Sequence, residues 1–120
     1  MFPNLDEHQF MSLTTYRKSG VAVPTPVWFA AQNGKLYVVS RGQAGKVKRV
    51  RGQSKVMVAP CTRDGQQLLG PAVEAHARIL PENENAMAYQ VLLDKYGQQL
   101  SEALSRDPEV KRSYIEIAPL

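Results

Sequence analysis

Residues 45 to 52, GKVKRVRG, carry four positive charges in eight positions, with a valine after the first and third of them. Three chemistries fit such a run. A short helix entered through a glycine-bearing turn offers backbone N–H groups and side-chain cations to a compact phosphate. The same run could be a solvated face, or a nucleic-acid footprint. Taken alone such a run is more often a solvated face, although the order around it is mechanically sensible for a phosphate. Ser40 ends a predicted strand, Arg41-Gly42-Gln43-Ala44-Gly45 makes a flexible approach, and Lys46, Lys48 and Arg49 fall in the first helical turn. It is not a Walker A loop, because Val47 stands where Ser or Thr must follow the lysine. Nucleic acid is disfavoured, since no aromatic residues interleave the cations and no RRM, KH or zinc-finger signature is present.

A second stretch, Thr25-Pro26-Val27-Trp28-Phe29, holds the only tryptophan. It could wall a planar aromatic ligand, or be a core Trp-Phe pair beside an edge strand. The titratable groups are less specific. Glu74, His76 and Arg78 share a strand face as a surface ladder would, Cys61 has no histidine that can be placed beside it, and no metal-ligand spacing exists. No acid, base or nucleophile stands out as catalytic. An enzyme built this way leaves the chemistry to a cofactor.

These residues must be positioned by a mainly β fold. Asn4 and Glu7 have the spacing of a helix start, and Met11 to Arg17 reads as a first strand with a turn at Lys18-Ser19-Gly20. Val21 to Ala31 reads as one continuous strand, in which Pro24 and Pro26 mark an open edge. Asn33-Gly34 is a type I′ hairpin signal, returning through Lys35 to Ser40. In the basic segment Val47 and Val50 share a helix face, with Lys46 and Arg49 on one flank and Lys48 and Arg51 on the other. Lys55 to Thr62 is apolar, and Pro71 to Leu80 alternates with Val73, Ala75, Ala77 and Ile79 inward. Met87, Ala88, Val91 and Leu92 recur at helical spacing, Gly97 interrupts, Leu100, Ala103 and Leu104 resume, and Tyr114 to Ala118 is a last strand. The sum is a six-stranded, antiparallel, barrel-like domain with short covering helices.

At 120 residues the chain is expected to be one domain, residues 1–120, with little room for a deep cavity of its own. The walls of a cofactor site would then come from two subunits. No apolar run is long enough to span a membrane, the N-terminus lacks signal-peptide character, and the lone cysteine excludes an internal disulfide, so a cytoplasmic protein without membrane partners is expected. The net charge is +4, unevenly spread. From His8 to Arg63 inclusive there are ten Lys or Arg and no Asp or Glu, an asymmetry that suits an anionic partner.

The ordered segments LTTYRKSG (13–20), TPVWFA (25–30), NGKLYVVS (33–40), GKVKRVRG (45–52), VMVAPCTRDG (56–65) and GPAVEAHARIL (70–80) together resemble the pyridoxamine 5′-phosphate oxidase-like split-barrel family, in its branch of flavin- and deazaflavin-dependent oxidoreductases. The resemblance runs over roughly residues 5–118. It implies a split β-barrel forming a homodimer with cofactor sites at the interface, the phosphate near Ser40, Lys46, Lys48 and Arg49 and the ring along Thr25, Pro26, Val27 and Trp28. It also implies hydride transfer between a flavin-type cofactor and a small organic molecule. Between FMN and the deazaflavin coenzyme F-420, the further cations Arg41, Arg51 and Lys55 favour the deazaflavin, whose acidic tail is longer. The alternative is a cofactor-binding or carrier protein on the same fold without turnover.

Overall fold

The computed structural model describes Leu5 and residues 8–120; the helix start expected at Asn4 to Glu7 lies outside them. The strands are β1 (Phe10–Tyr16), β2 (Ala22–Trp28), β3 (Ala30–Gln32), β4 (Lys35–Arg41), β5 (Lys55–Pro60), β6 (Val73–Ile79) and β7 (Arg112–Pro119). The helices are α1 (Gly45–Gly52), α2 (Asn85–Tyr96), led in by a 3-10 turn at Glu82–Glu84, and α3 (Gln98–Ser105). All strand pairs are antiparallel, in one sheet of order β2-β1-β5-β6-β7-β4-β3.

There are seven strands where the sequence suggested six, because Val21 to Ala31 is not continuous. It breaks at Phe29, and the halves on either side become the two opposite edges of the sheet. Flat, seven strands at about 4.8 Å spacing would hold those edges roughly 29 Å apart. A single intervening residue allows Trp28 and Ala30 no more than about 7 Å, so the sheet must curl into a barrel. It does not close by hydrogen bonds. β3 covers only Lys35 to Tyr37 of β4, so the rest of β4 faces β2 across a split.

Prolines keep that split open. Pro24 and Pro26 hold their places opposite Thr14 and Ser12 of β1, which is possible only with their nitrogens turned to the far edge, where no N–H is then available for another strand. At the break, Phe29 is fully buried and its backbone has left the ladder. The Tyr96 hydroxyl at the end of α2 takes over: it accepts the Phe29 N–H at 2.9 Å and shares its proton between the carbonyls of Phe29 and Gln9, each 2.7 Å away.

The hairpin, the basic helix and the helix break form where the sequence placed them. Asn33 and Gly34 have φ of 54° and 77°, the two positive values a type I′ turn demands. α1 spans GKVKRVRG, with Val47 and Val50 buried in the barrel core among Leu13, Val38, Val56 and Ile117. Gly97 separates α2 from α3 at φ 60°. Met87, grouped by its spacing with the buried face of α2, is instead exposed. Among the described residues no helix is long and apolar enough to cross a membrane, and no cluster of three or more His, Cys, Asp or Glu could hold a metal ion.

Candidate cofactor groove

α1 enters the fold with an unusually open N-terminus. Its N-cap is Ala44, which offers no side-chain cap, and its first turn has no acidic residue. The first free amides are those of Gly45 and Lys46, since Val47 and Lys48 already bond the Ala44 carbonyl. Arg49 reaches back over this end. Its Nε donates to Thr15 Oγ1 at 2.6 Å, and its Nη1 would lie 2.6 Å from a Cβ at Gly45, so the glycine makes room for the guanidinium. Free amides, a helix dipole and a fixed guanidinium converge on one point, as an anion site requires.

Lys46 stands beside it, half-buried at the mouth of a groove of about 260 Å³ lined also by Pro26, Val27, Trp28, Val39, Ala103 and Leu104. Desolvation, then the nearby Arg49 charge, pull its ammonium below the ordinary lysine range. Among the described residues it pairs with no carboxylate. An uncompensated, half-buried cation is stabilised when an anion joins it.

Trp28 forms the aromatic wall. Its ring stacks on Tyr96 with centroids 4.8 Å apart and planes 18° from parallel, while Phe10 meets it edge-on at 6.5 Å. The core Trp-Phe pair weighed from sequence is therefore divided: Phe29 enters the barrel and Trp28 faces the groove.

The expected site residues thus separate into three groups. Pro26, Val27, Trp28 and Lys46 share the groove. Lys48 and Arg49 line a different cleft on the far side of α1, so the flanks inferred from the helical wheel are rearranged. Thr25, half-buried opposite Leu13, and Ser40, whose hydroxyl bonds the Arg41 carbonyl at 3.1 Å, stand in neither wall. Tyr96, Val39, Ala103 and Leu104 were missed. The one available signal was Tyr96, an aromatic with a polar tip at the end of an apolar helix face, which needs a buried partner.

The charge asymmetry also resolves. Lys35, Arg41 and Lys55, three of the cations in the acid-free half, pair with Glu116, Asp107 and Glu74 of the other half. Arg41 and Lys55, both counted towards a long acidic tail, are therefore already neutralised. Arg17, Lys18, Lys46, Lys48 and Arg49 keep no acidic partner among the described residues, and all five line the two clefts flanking α1.

A curled antiparallel sheet split between β2 and β4, with a helix entering beside the split, defines the class of split-barrel proteins. The family model for pyridoxamine 5′-phosphate oxidase matches residues 2–120, and the chain belongs to that family. No curated protein matches the sequence. Solved structures share the fold. The haem storage protein HutZ of Vibrio cholerae aligns with a TM-score of 0.71 at 14% identity, over 95% of this chain and 83% of that one. An FAD-binding protein of Mesorhizobium loti gives 0.68 at 16%, over 96% and 82%. An F420-H2 dependent reductase gives 0.61 at 21%, over 90% and 93%. The fold thus includes flavin-binding proteins and reductases as well as a haem storage protein.

Proposed function

We propose that this chain is the single-domain subunit of a cytoplasmic homodimeric oxidoreductase that binds a flavin-type cofactor, the deazaflavin coenzyme F-420 or FMN, in the Trp28 groove and exchanges hydride with a small organic substrate. One observation carries the reading: a cation without an acidic partner, Lys46, and an aromatic wall, Trp28, share a groove beside an uncapped helix N-terminus. The residues present fit the cofactor's two halves. Lys46, Arg49 and the first amides of α1 would hold its phosphate, and Trp28 with the proline-bearing edge of β2 would flank its ring.

When bound, the cofactor supplies the hydride acceptor or donor. The chain's own part is to bind and orient. Tyr96 fixes the plane of Trp28 by stacking and pins the strand break beneath it. Pro26, Val27, Val39 and Leu104 make that part of the wall apolar. A second subunit is implied by size, because about 260 Å³ falls short of the roughly 300–1,000 Å³ of small-molecule sites. Of the three extra cations read as favouring the longer deazaflavin anion, only Arg51 is left without an acidic partner among the described residues. The two cofactors are therefore separated by titration.

A second reading, a cofactor carrier without turnover, is favoured by the lining itself: Lys46 is the only titratable side chain among the described groove residues.

Fluorescence titration of the apo-protein with FMN and with oligoglutamyl deazaflavin tests the site. Saturation at one cofactor per chain is expected, and failure of both ligands overturns the proposal. Lys46→Ala is expected to weaken binding by about 1–3 kcal/mol, the worth of a charge-assisted hydrogen bond. Turnover with quinone-like or enone acceptors then separates enzyme from carrier.

A further inference from the structure

The cleft on the other side of α1 is larger, about 440 Å³, and is lined by Tyr16, Arg17, Lys18, Lys48, Arg49, Gly52 and Gln53. Two elements build it. The turn after β1 brings Arg17 and Lys18, and α1 brings Lys48, Arg49 and Gly52. No acidic side chain lines it, and none of its four cations pairs with a carboxylate among the described residues. Elsewhere Lys35, Arg41, Lys55 and Arg78 each have an acidic partner within 4 Å, and the other unpaired cations among the described residues, such as Arg51, Arg63 and Lys111, are not gathered around a cleft.

The helix dipole does not account for this. The C-terminal end of a helix carries roughly half a negative charge, a fraction of what four cations present. Arg17 and Lys18, moreover, are not on the helix. Like charges held around a cleft of molecular size repel one another and are relieved by a multivalent anion. Arg49 is already fixed by Thr15, and its planar fork matches phosphate oxygens in pairs. Tyr16 adds an aromatic surface. Gly52 keeps the wall low, since a Cβ there would meet nothing within 4 Å.

We propose that this cleft is a second ligand site, taking a small organic polyphosphate, such as a nucleoside diphosphate, with its phosphates among Arg17, Lys18, Lys48 and Arg49 and its planar group against Tyr16. The site is separate from the Trp28 groove and does not rest on the flavin reading. The two linings share no residue, but the Arg49 guanidinium also lies over the N-terminus of α1 beside Gly45, so an anion on either side alters the field felt by the other.

The test is calorimetric titration of the full chain with inorganic pyrophosphate, with ADP, and with a short DNA duplex. Pyrophosphate and ADP are expected to saturate at one per chain, ADP the more tightly. Gly52→Glu places a carboxylate in open space at the cleft wall, and is expected to weaken both by about tenfold or more, with the circular dichroism spectrum unchanged. Lys48→Gln, which keeps the stem and removes the charge, is expected to weaken both in the same direction. Lys46→Ala is expected to leave both unchanged, which separates this site from the cofactor groove. The proposal is overturned by absence of saturation with either phosphate ligand, by equal loss in Lys46→Ala and Gly52→Glu, or by duplex binding as the only interaction that responds to Gly52→Glu.

Discussion

Inside the barrel, the buried cluster from Met11, Leu13 and Phe29 to Val56, Ile115 and Ile117 is hydrophobic, and the fully buried Thr15 that follows it along β1 is bonded by Arg49. Outside it, beneath α2 and α3, the second cluster includes Tyr37, Tyr96 and Tyr114, and two of these hold polar contacts deep in the structure. Tyr37 donates to Glu116 Oε2 at 3.0 Å, while Arg78 donates to Glu116 Oε1 at 2.8 Å. Tyr96 bonds the strand break. Apolar packing is non-directional, so the inner core can stabilise the barrel without fixing any one orientation. The outer cluster sets angles. The Trp28 groove lies against the outer cluster, where directional bonds can hold a wall in place.

The sharpest break of that contrast is Phe29→Ala. Its ring is wholly buried in the inner core, and its loss is expected to cost about 3–5 kcal/mol in urea unfolding. Cofactor binding, measured on the fraction that stays folded, should suffer less than stability. Tyr96→Phe reverses the emphasis. It keeps the stacked ring but strands the Phe29 N–H, at an expected cost of about 1–3 kcal/mol, with a further loss of cofactor affinity as the β2–β3 break loosens beneath Trp28.

The pH dependence sharpens the comparison, because only the outer cluster titrates. Burial pushes the Glu116 carboxyl up, but the Arg78 and Tyr37 hydrogen bonds and the charges of Arg78 and Lys35 outweigh it and hold it below the usual carboxylate range. Its stabilisation is therefore complete above the unfolded-state carboxylate pKa and is lost as pH falls through the depressed folded value. Burial first, then Glu116, pushes Tyr37 up to about 12, and burial pushes Tyr96 up to about 12. Folding stability should accordingly fall again between about pH 10 and 12, as the unfolded tyrosines lose protons before the folded ones. Glu116→Gln is expected to flatten the acid limb, as read from denaturation midpoints across pH. The smallest effect is Asp107→Asn. This removes the exposed 2.7 Å pair with Arg41, and a stability change under about 1 kcal/mol is expected.

Local rules carried much of this architecture in the sequence. Val47 and Val50 place α1, Asn33-Gly34 places its hairpin, and the alternation from Val73 to Ile79 gives the inner face of β6. The break at Phe29 was hidden because no glycine or turn residue marks it, and its hydrogen-bond partner lies 67 positions away. The candidate site was half legible for the same reason. Trp28 and Lys46 were identifiable by type, but the division of Lys46 from Lys48 depends on which side of α1 meets the barrel split. That is a property of the packed sheet, absent from a helical wheel.

The Phe29 amide has one more consequence. It is bonded to a side-chain hydroxyl on a helix rather than to a neighbouring strand, so its protection from solvent exchange is set by whether α2 is docked. Amides in the β1–β5 ladder open only with the sheet. One backbone proton thus serves as an internal gauge of the helical cover, and comparing its exchange rate with those of Ser12 and Thr14, whose partners lie in β5, would time the detachment of α2 separately from the unfolding of the barrel.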